Sequence, residues 1–121
     1  DGGAITRFRN TFIIGRLFPV GHGGNLQYLP IAHDAYGVDV ERLKAFGLTM
    51  RSRSGGERIH VHLKRPTIAL KLAYQNAQVP PMLRPHLPLV YCGDALVYAA
   101  GVGMNMDECV LGGQPLAWSV E

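Results

Sequence analysis

A chain of 121 residues, 47% of them hydrophobic, is long enough for one ordinary core and too short for two. Its low charged fraction of 17% excludes a disordered polyelectrolyte, and no apolar stretch approaches the roughly 20 residues that a membrane-spanning helix needs. The net charge of +3 hides a segregation: residues 1–50 are nearly balanced, residues 51–84 set seven basic groups against the single Glu57 (+6), and residues 85–121 carry four acids and no base (−4).

The 15 glycines and 8 prolines fall between apolar runs, which suits many short strands joined by turns and predicts a mainly β (α+β) domain. Residues 5–17 read as one or two strands, with Thr6 and Phe8 opposite Arg7 and Arg9. Gly21, Gly23 and Gly24 mark a loop over 19–25, and residues 26–31 supply another short strand. Asp39 is placed to cap a helix that runs through Phe46 and stops at Gly47. Residues 48–53 alternate Leu48, Met50 and Ser52 with Thr49, Arg51 and Arg53, so one strand face presents two arginines. Gly55-Gly56 makes a tight turn, and residues 58–63 resume as a strand in which Ile59, Val61 and Leu63 oppose Arg58, His60 and His62.

Pro66 and Thr67 are suited to open a helix over 66–78, with Ile68, Ala69, Leu72, Ala73 and Ala77 on its packed side and Lys71, Gln75 and Gln78 as a narrow polar stripe. Pro80-Pro81 ends it, because neither residue can donate the next helical hydrogen bond. Gly93-Asp94 fits a two-residue hairpin turn between strands at 89–92 and 95–102. Both faces of the second strand are apolar or small, so the hairpin belongs inside, and Tyr91 and Tyr98 are read as packing across it. Residues 116–120 close the domain, anchored by Trp118.

The chemistry-bearing residues are few. Cys92 and Cys109 lack any C-x-x-C pairing and read as reduced, cytoplasmic thiols, with Cys92 in the core; a bridge between them would be optional. An apolar strand disfavours the thiolate that a Cys92–His86 nucleophile would need. His60 and His62 share a strand face, but no third ligand has suitable spacing, so no metal site is expected. On charge alone the basic block fits equally a nucleic-acid contact or a solvated face without a partner.

Residues 51–103 are more specific. Arg51-x-Arg53-x-Gly55-Gly56-Glu57 is followed by Leu70-Lys71, Val79-Pro80-Pro81-Met82-Leu83-Arg84, Pro88-Leu89 and Ala100-Gly101-Val102. This order resembles the C-terminal domain of tRNA(Ile)-lysidine synthetases, where an R-x-R-x-G-G-E turn, an L-K-K helix, a V-P-P-W-L-R turn, a P-L-L strand, a hairpin and an A-x-A-G strand succeed one another. Trp118 stands where family members often have an aromatic residue. Met82 replaces the usual tryptophan and Leu72 the second helix lysine. Before Leu48 the match is thin, leaving residues 1–46 as preceding strands and loop within a single domain of 1–121.

The resemblance implies a compact β-sandwich of unusual topology with one flanking helix, also seen in a domain of the phenylalanyl-tRNA synthetase β subunit. It implies a ligase that uses ATP, with Mg, to join lysine to the wobble cytidine of tRNA(Ile) with a CAU anticodon in the bacterial cytoplasm. The catalytic residues and their S-G-G-x-D-S phosphate loop would sit in an N-terminal domain absent from this chain. Ser54-Gly55-Gly56-Glu57-Arg58 only echoes that loop, lacking its Asp, its second Ser and a helix N-terminus to receive phosphate. A start at Asp1-Gly2-Gly3, with neither an initiator Met nor a secretion signal, likewise fits a piece of a longer polypeptide.

On these residues no catalytic group and no cofactor are expected. The implied partners are the tRNA, met at its acceptor stem, and the catalytic domain of the same polypeptide; a membrane is not among them, and a homodimer stays open. Arg51, Arg53, Arg58, Lys64, Arg65, Lys71 and Arg84 are the candidate tRNA-binding residues. Arg84 can instead pair internally with Glu57 or the acidic tail. The alternative is a structural or dimerisation domain whose basic face is incidental, and an independent enzyme is the weakest reading.

Overall fold

The computed structural model describes residues 24–119 and, separately, the strands β1 (Ile5–Phe8) and β2 (Thr11–Ile14), which pair antiparallel. The first predicted stretch therefore forms two strands. Its continuation to Leu17 and the glycine loop up to residue 23 lie outside the described residues. The later elements follow as β3 (Asn25–Tyr28), β4 (Tyr36–Val38), α1 (Val40–Phe46), β5 (Thr49–Arg51), β6 (Arg58–Ile59), β7 (Ile68–Ala69), α2 (Leu70–Asn76), β8 (Leu89–Cys92), β9 (Ala95–Ala99), β10 (Gly103–Met104), β11 (Cys109–Leu111) and β12 (Leu116–Ser119). Short 3-10 turns stand at Arg84–His86 and Met106–Glu108. The described residues are thus mainly β with two helices, as the turn-rich composition predicts.

The hairpin β8–β9 is the centre. Gly93 takes φ +63° at the first turn position, which an L side chain resists, and Cys92 faces Ala95 across the two-residue connection. β5 and β10 extend the hairpin into a four-stranded antiparallel sheet in the order β10-β9-β8-β5. Val90 pairs with Tyr98 while Tyr91 pairs with Leu96, so Val97 is an extra residue in β9. This bulge turns Val97 and Tyr98 toward the same side.

Apolar groups cover the sheet on both faces. On one, Val90, Cys92, Val97 and Tyr98 pack with Met50, Leu48, Leu43 of α1, Val38 of β4 and Leu116 of β12. On the other, Leu89, Leu96 and Ala99 pack with Ile59, Val79 and the α2 residues Leu70, Ala73 and Tyr74. Tyr91 packs at the second face and Tyr98 at the first, so the bulge separates the two rings that the sequence places across one hairpin. Trp118 does anchor the last strand: β12 pairs with β3, Trp118 packs at the first cluster, and its backbone N–H donates to the Tyr98 hydroxyl at 2.8 Å.

Helix α1 follows its sequence signals closely. Asp39 caps it through the Glu41 amide at 3.2 Å, and Gly47 ends it. Helix α2 does not. It begins at Leu70, because Ile68 and Ala69 are spent on a ladder with Ile59 and Arg58, the Thr67 carbonyl accepts from Arg58, and the Thr67 hydroxyl donates to Asp107 at 2.7 Å. The predicted cap at 66–67 is therefore a strand approach, and Ala69 precedes the helix without a side-chain cap.

Residues 48–53 and 58–63 do not pair with each other either. β5 pairs with β8, and the second stretch leaves strand geometry after Ile59 because the His60 backbone bonds to the Asn105 side chain and to the Met106 amide. The predicted strands at 26–31 and 95–102 form as Asn25–Tyr28 and Ala95–Ala99, and the strand predicted over 116–120 is present as Leu116–Ser119, its last residue lying outside the described residues.

Asn105 joins the layers. Its buried amide donates to the Leu96 carbonyl at 2.8 Å and accepts from the His60 amide at 3.0 Å, while its own N–H donates to Val97 in the bulge at 2.9 Å. Removing that side chain strands polar groups away from water. Asn105→Ala is expected to lower the unfolding free energy by about 3 kcal/mol with an unchanged denaturant slope. A urea titration that finds less than about 1 kcal/mol would show that this amide is not the joint.

Candidate nucleic-acid interface

The basic segment of the sequence becomes a basic layer in space. Register places Arg51 opposite Leu89, and antiparallel partners share a face, so Arg51 projects on the α2 side of the sheet. Its guanidinium lies 4.1 Å from the centroid of the Tyr91 ring, and Nη2 donates to the Gly93 carbonyl at 3.3 Å. Asp94 stands 3.9 Å away, an exposed ion pair of little energetic weight.

Arg53 and Arg84 come together over one ring, at 5.4 and 5.5 Å from the centroid of Tyr74. Neither has a motif in common with Tyr74, and the cluster was not legible in the sequence; a buried tyrosine in the helix facing the arginine strand is its only linear trace. Burial pushes the Tyr74 hydroxyl up, against the pull of the two guanidinium groups. Arg84 also donates through Nε to the Val79 carbonyl at 3.0 Å. Among the described residues its contacts are thus a carbonyl and a ring, and none of Glu57, Asp94, Asp107 and Glu108 forms an ion pair with it.

Arg58 is exposed on β6 and donates through Nη2 to the Thr67 carbonyl at 2.9 Å. Lys64 and Arg65 sit in the turn that follows His62, closed by the Arg65 amide on the His62 carbonyl at 3.0 Å, and Lys71 lies on the first turn of α2. All three are exposed, and none forms an ion pair among the described residues. The exposed side of α2 is broader than the predicted stripe: Leu72 and Ala77 join Lys71 and Gln75, because the late helix start shifts the buried side to Leu70, Ala73 and Tyr74.

The acids lie elsewhere or are engaged. Glu108 pairs with Arg42 of α1 at 3.2 Å. Asp107 accepts from Thr67 and lies 2.9 Å from Nδ1 of His60; these two partners hold its carboxyl below the usual range. His60 thereby has a structural partner, His62 is exposed, and no metal-binding group occurs among the described residues. Cys92 is buried and Cys109 partly so, both unbridged, and burial pushes the Cys92 thiol up, which agrees with a packing role.

Glu57 organises the turn between the arginines. Its carboxylate accepts from the Ser54 amide at 2.8 Å, the Ser54 hydroxyl at 2.9 Å and the Gly55 amide at 3.0 Å. Gly55 and Gly56 take φ +104° and +83°, conformations that favour glycine, with nothing near the positions a Cβ would occupy. The turn is an open, backbone-exposing ledge beside Arg53 and Arg58.

Such a layer defines a class: a β-rich module whose exposed basic residues gather on one side of its central sheet. Residues 48–118 match the model of the TilS substrate C-terminal domain, and the chain belongs to that family. It is 42% identical over 97 residues to the tRNA(Ile)-lysidine synthase of Ralstonia nicotianae, an alignment that covers 79% of this chain and 20% of that protein. Identity to the enzyme of the same name from Nitrosomonas europaea is 46% over 71 residues, 59% of this chain and 16% of that one. For the Legionella pneumophila (strain Lens) enzyme it is 40% over 74 residues, covering 60% and 16%. The chain spans about a fifth or less of the length of these curated relatives.

Partial burial works against ionisation of Glu57, but the donors of Ser54 and Gly55 outweigh it and hold the carboxyl below its ordinary value of 4.5. A depressed folded value means that the ordering it supplies is present above that range and is lost as pH falls through the lowered value. The Ser54 and Gly55 amide signals are expected to titrate together in an NMR pH series with a midpoint below 4.5, and to lose that step in Glu57→Gln. A midpoint at or above the ordinary value would sink this role.

Proposed function

We propose that this chain is the tRNA-contacting C-terminal part of a bacterial, cytoplasmic tRNA(Ile)-lysidine synthase, which uses ATP to join lysine to the wobble cytidine of tRNA(Ile) bearing a CAU anticodon. In this reading the catalytic domain, with its ATP and Mg, lies elsewhere in the same polypeptide. The present residues hold the acceptor stem while the anticodon reaches the distant active site. The observation that carries the reading is the α2-side layer, in which six of the seven basic residues of 51–84 are exposed in a chain of this family.

The chemistry is complementarity to phosphate. Arg51 and Arg53 are oriented by tyrosine rings, and a guanidinium stacked on a ring keeps its donors free at the edge for phosphate oxygens. Lys64, Arg65 and Lys71, in no ion pair among the described residues, are exposed charges that can follow the backbone of an A-form helix, whose phosphates and 2′-hydroxyls are its protein-readable features. Arg84, tied to Val79 and Tyr74, acts on this reading by positioning the ring rather than by reaching RNA.

Binding of labelled tRNA to the chain is expected to weaken steeply with salt, because each neutralised phosphate releases counterions. An Arg51/Arg53/Lys71 triple alanine variant is expected to flatten the log–log salt slope by about 2–3, at about 0.9 per lost contact. Wild-type binding that is absent or insensitive to these changes would favour a structural or dimerisation role. Pyrophosphate exchange with ATP or lysine incorporation by the purified chain alone would overturn the assignment of the chemistry to other residues.

A further inference from the structure

Beside its cations, the α2 layer holds a cleft of about 570 Å³ between α2 and the chain leading from β6 into β7. Its walls combine apolar groups, Val61, Ile68 and Leu72 among them, with the polar His62, Arg65 and Asn76. Leu72 is 43% exposed, an aliphatic side chain left in water on a helix whose other apolar residues mostly pack inward. Asn76 follows it by four residues, one helical turn or about 6 Å along the axis. Neither His62 nor Arg65 forms an ion pair among the described residues, so the polar wall is uncommitted.

The volume falls within the roughly 300–1,000 Å³ of sites that enclose small molecules, and it is a depression, not a track. A duplex stacks its bases inside and offers no single base to such a depression. An unpaired nucleotide does: its base has an apolar face and a hydrogen-bonding edge, and its phosphate is an anion. The cleft supplies a counterpart to each, in Leu72 and Ile68 for the face, the Asn76 amide for the edge and the Arg65 guanidinium for the phosphate. Lys64 and Lys71, exposed and next in the chain to Arg65 and Leu72, carry the positive charge on past the cleft. That continuity fits a strand whose phosphates run on beyond the bound base better than a peptide acidic at one point.

We propose that this cleft receives one unpaired nucleotide of the bound RNA, its base against Leu72 and Ile68 and its phosphate at Arg65. The proposal rests on the reading of the chain as an RNA-binding module and assigns it a single-strand subsite at Arg65, at the margin of the cations that follow the duplex.

The test compares two labelled RNAs by fluorescence anisotropy with the 121-residue chain: a blunt-ended hairpin, and the same hairpin carrying a few unpaired 3′ nucleotides. The extension is expected to tighten binding about tenfold, the scale of burying roughly 60 Å² of a base's apolar face against aliphatic side chains. Leu72→Ser is expected to abolish that gain and leave the blunt hairpin unchanged within about twofold. Because Leu72 is exposed, a thermal melt of the variant should match the wild type. Independently, the amides of Ile68, Leu72 and Asn76 should shift in NMR spectra of the wild type with the extended hairpin and not with the blunt one. Equal binding of the two RNAs, or equal weakening of both by Leu72→Ser, would overturn the cleft assignment while leaving RNA binding intact. Failure of both RNAs to bind would remove the functional reading and the cleft with it. Displacement of the extended RNA's advantage by a glutamate-rich amphipathic peptide that shifts the same amides more strongly would assign the cleft to a protein partner instead.

Discussion

A hairpin that is apolar on both faces cannot lie at a surface, and β8–β9 is such a hairpin. Its burial demands a covering layer on each side, and elements from distant parts of the chain provide them. Leu43 of α1, Val38 of β4 and Leu116 of β12 cover one face; β6 and α2 cover the other. At roughly 1.5–3 kcal/mol for each fully buried aliphatic side chain, the buried residues Leu89, Val90, Leu96 and Val97 give this pair of strands a concentrated driving force. The bulge at Val97 adds a local constraint, since its carbonyl and that of Leu96 need donors inside the protein. Asn105 supplies both and ties in His60 as well, so one amide links the sheet to the layer that bears the cations.

The same architecture separates charge. Because the two covering layers come from different parts of the chain, a sequence whose basic residues are concentrated in 51–84 folds into a domain with a basic layer. Aromatic rings then restrain part of that charge: Tyr91 holds Arg51, and Tyr74 holds Arg53 and Arg84. A long cationic side chain loses rotamer freedom when it binds a phosphate, and prior restraint against a ring reduces that loss. The exposed lysines Lys64 and Lys71 have no such ring contact among the described residues and add to the field of the layer more than to its geometry.

The departures from the sequence reading cluster where a short segment had two local solutions. Pro66 and Thr67 are good helix openers, yet Ile68 and Ala69 gain more by pairing with Ile59 and Arg58 than by adding a first turn whose amides have no helical partners. The helix starts four residues later than predicted, buries Leu70, Ala73 and Tyr74, and leaves Leu72 in water at the mouth of the cleft. Likewise His60 has the alternation of a strand residue, but Asn105 and Met106 capture its backbone. Arg84, which the sequence leaves open between RNA and an internal acid, meets the Val79 carbonyl and the Tyr74 ring among the described residues.

What the sequence by itself determined was everything set by local rules: the hairpin about Gly93-Asp94, the capped helix from Asp39 to Gly47, the core place of Cys92, the anchor at Trp118 and the family likeness borne by residues 51–103. Those features depend on neighbours in the chain or on a side chain's preference for water. Tertiary structure alone decided which strands pair, where α2 begins, that Tyr74 meets Arg53 and Arg84, and that a cleft opens beside Arg65. Those outcomes depend on partners distant in sequence, whose competition for the same backbone groups and the same buried surface is settled only when the layers close on the central hairpin.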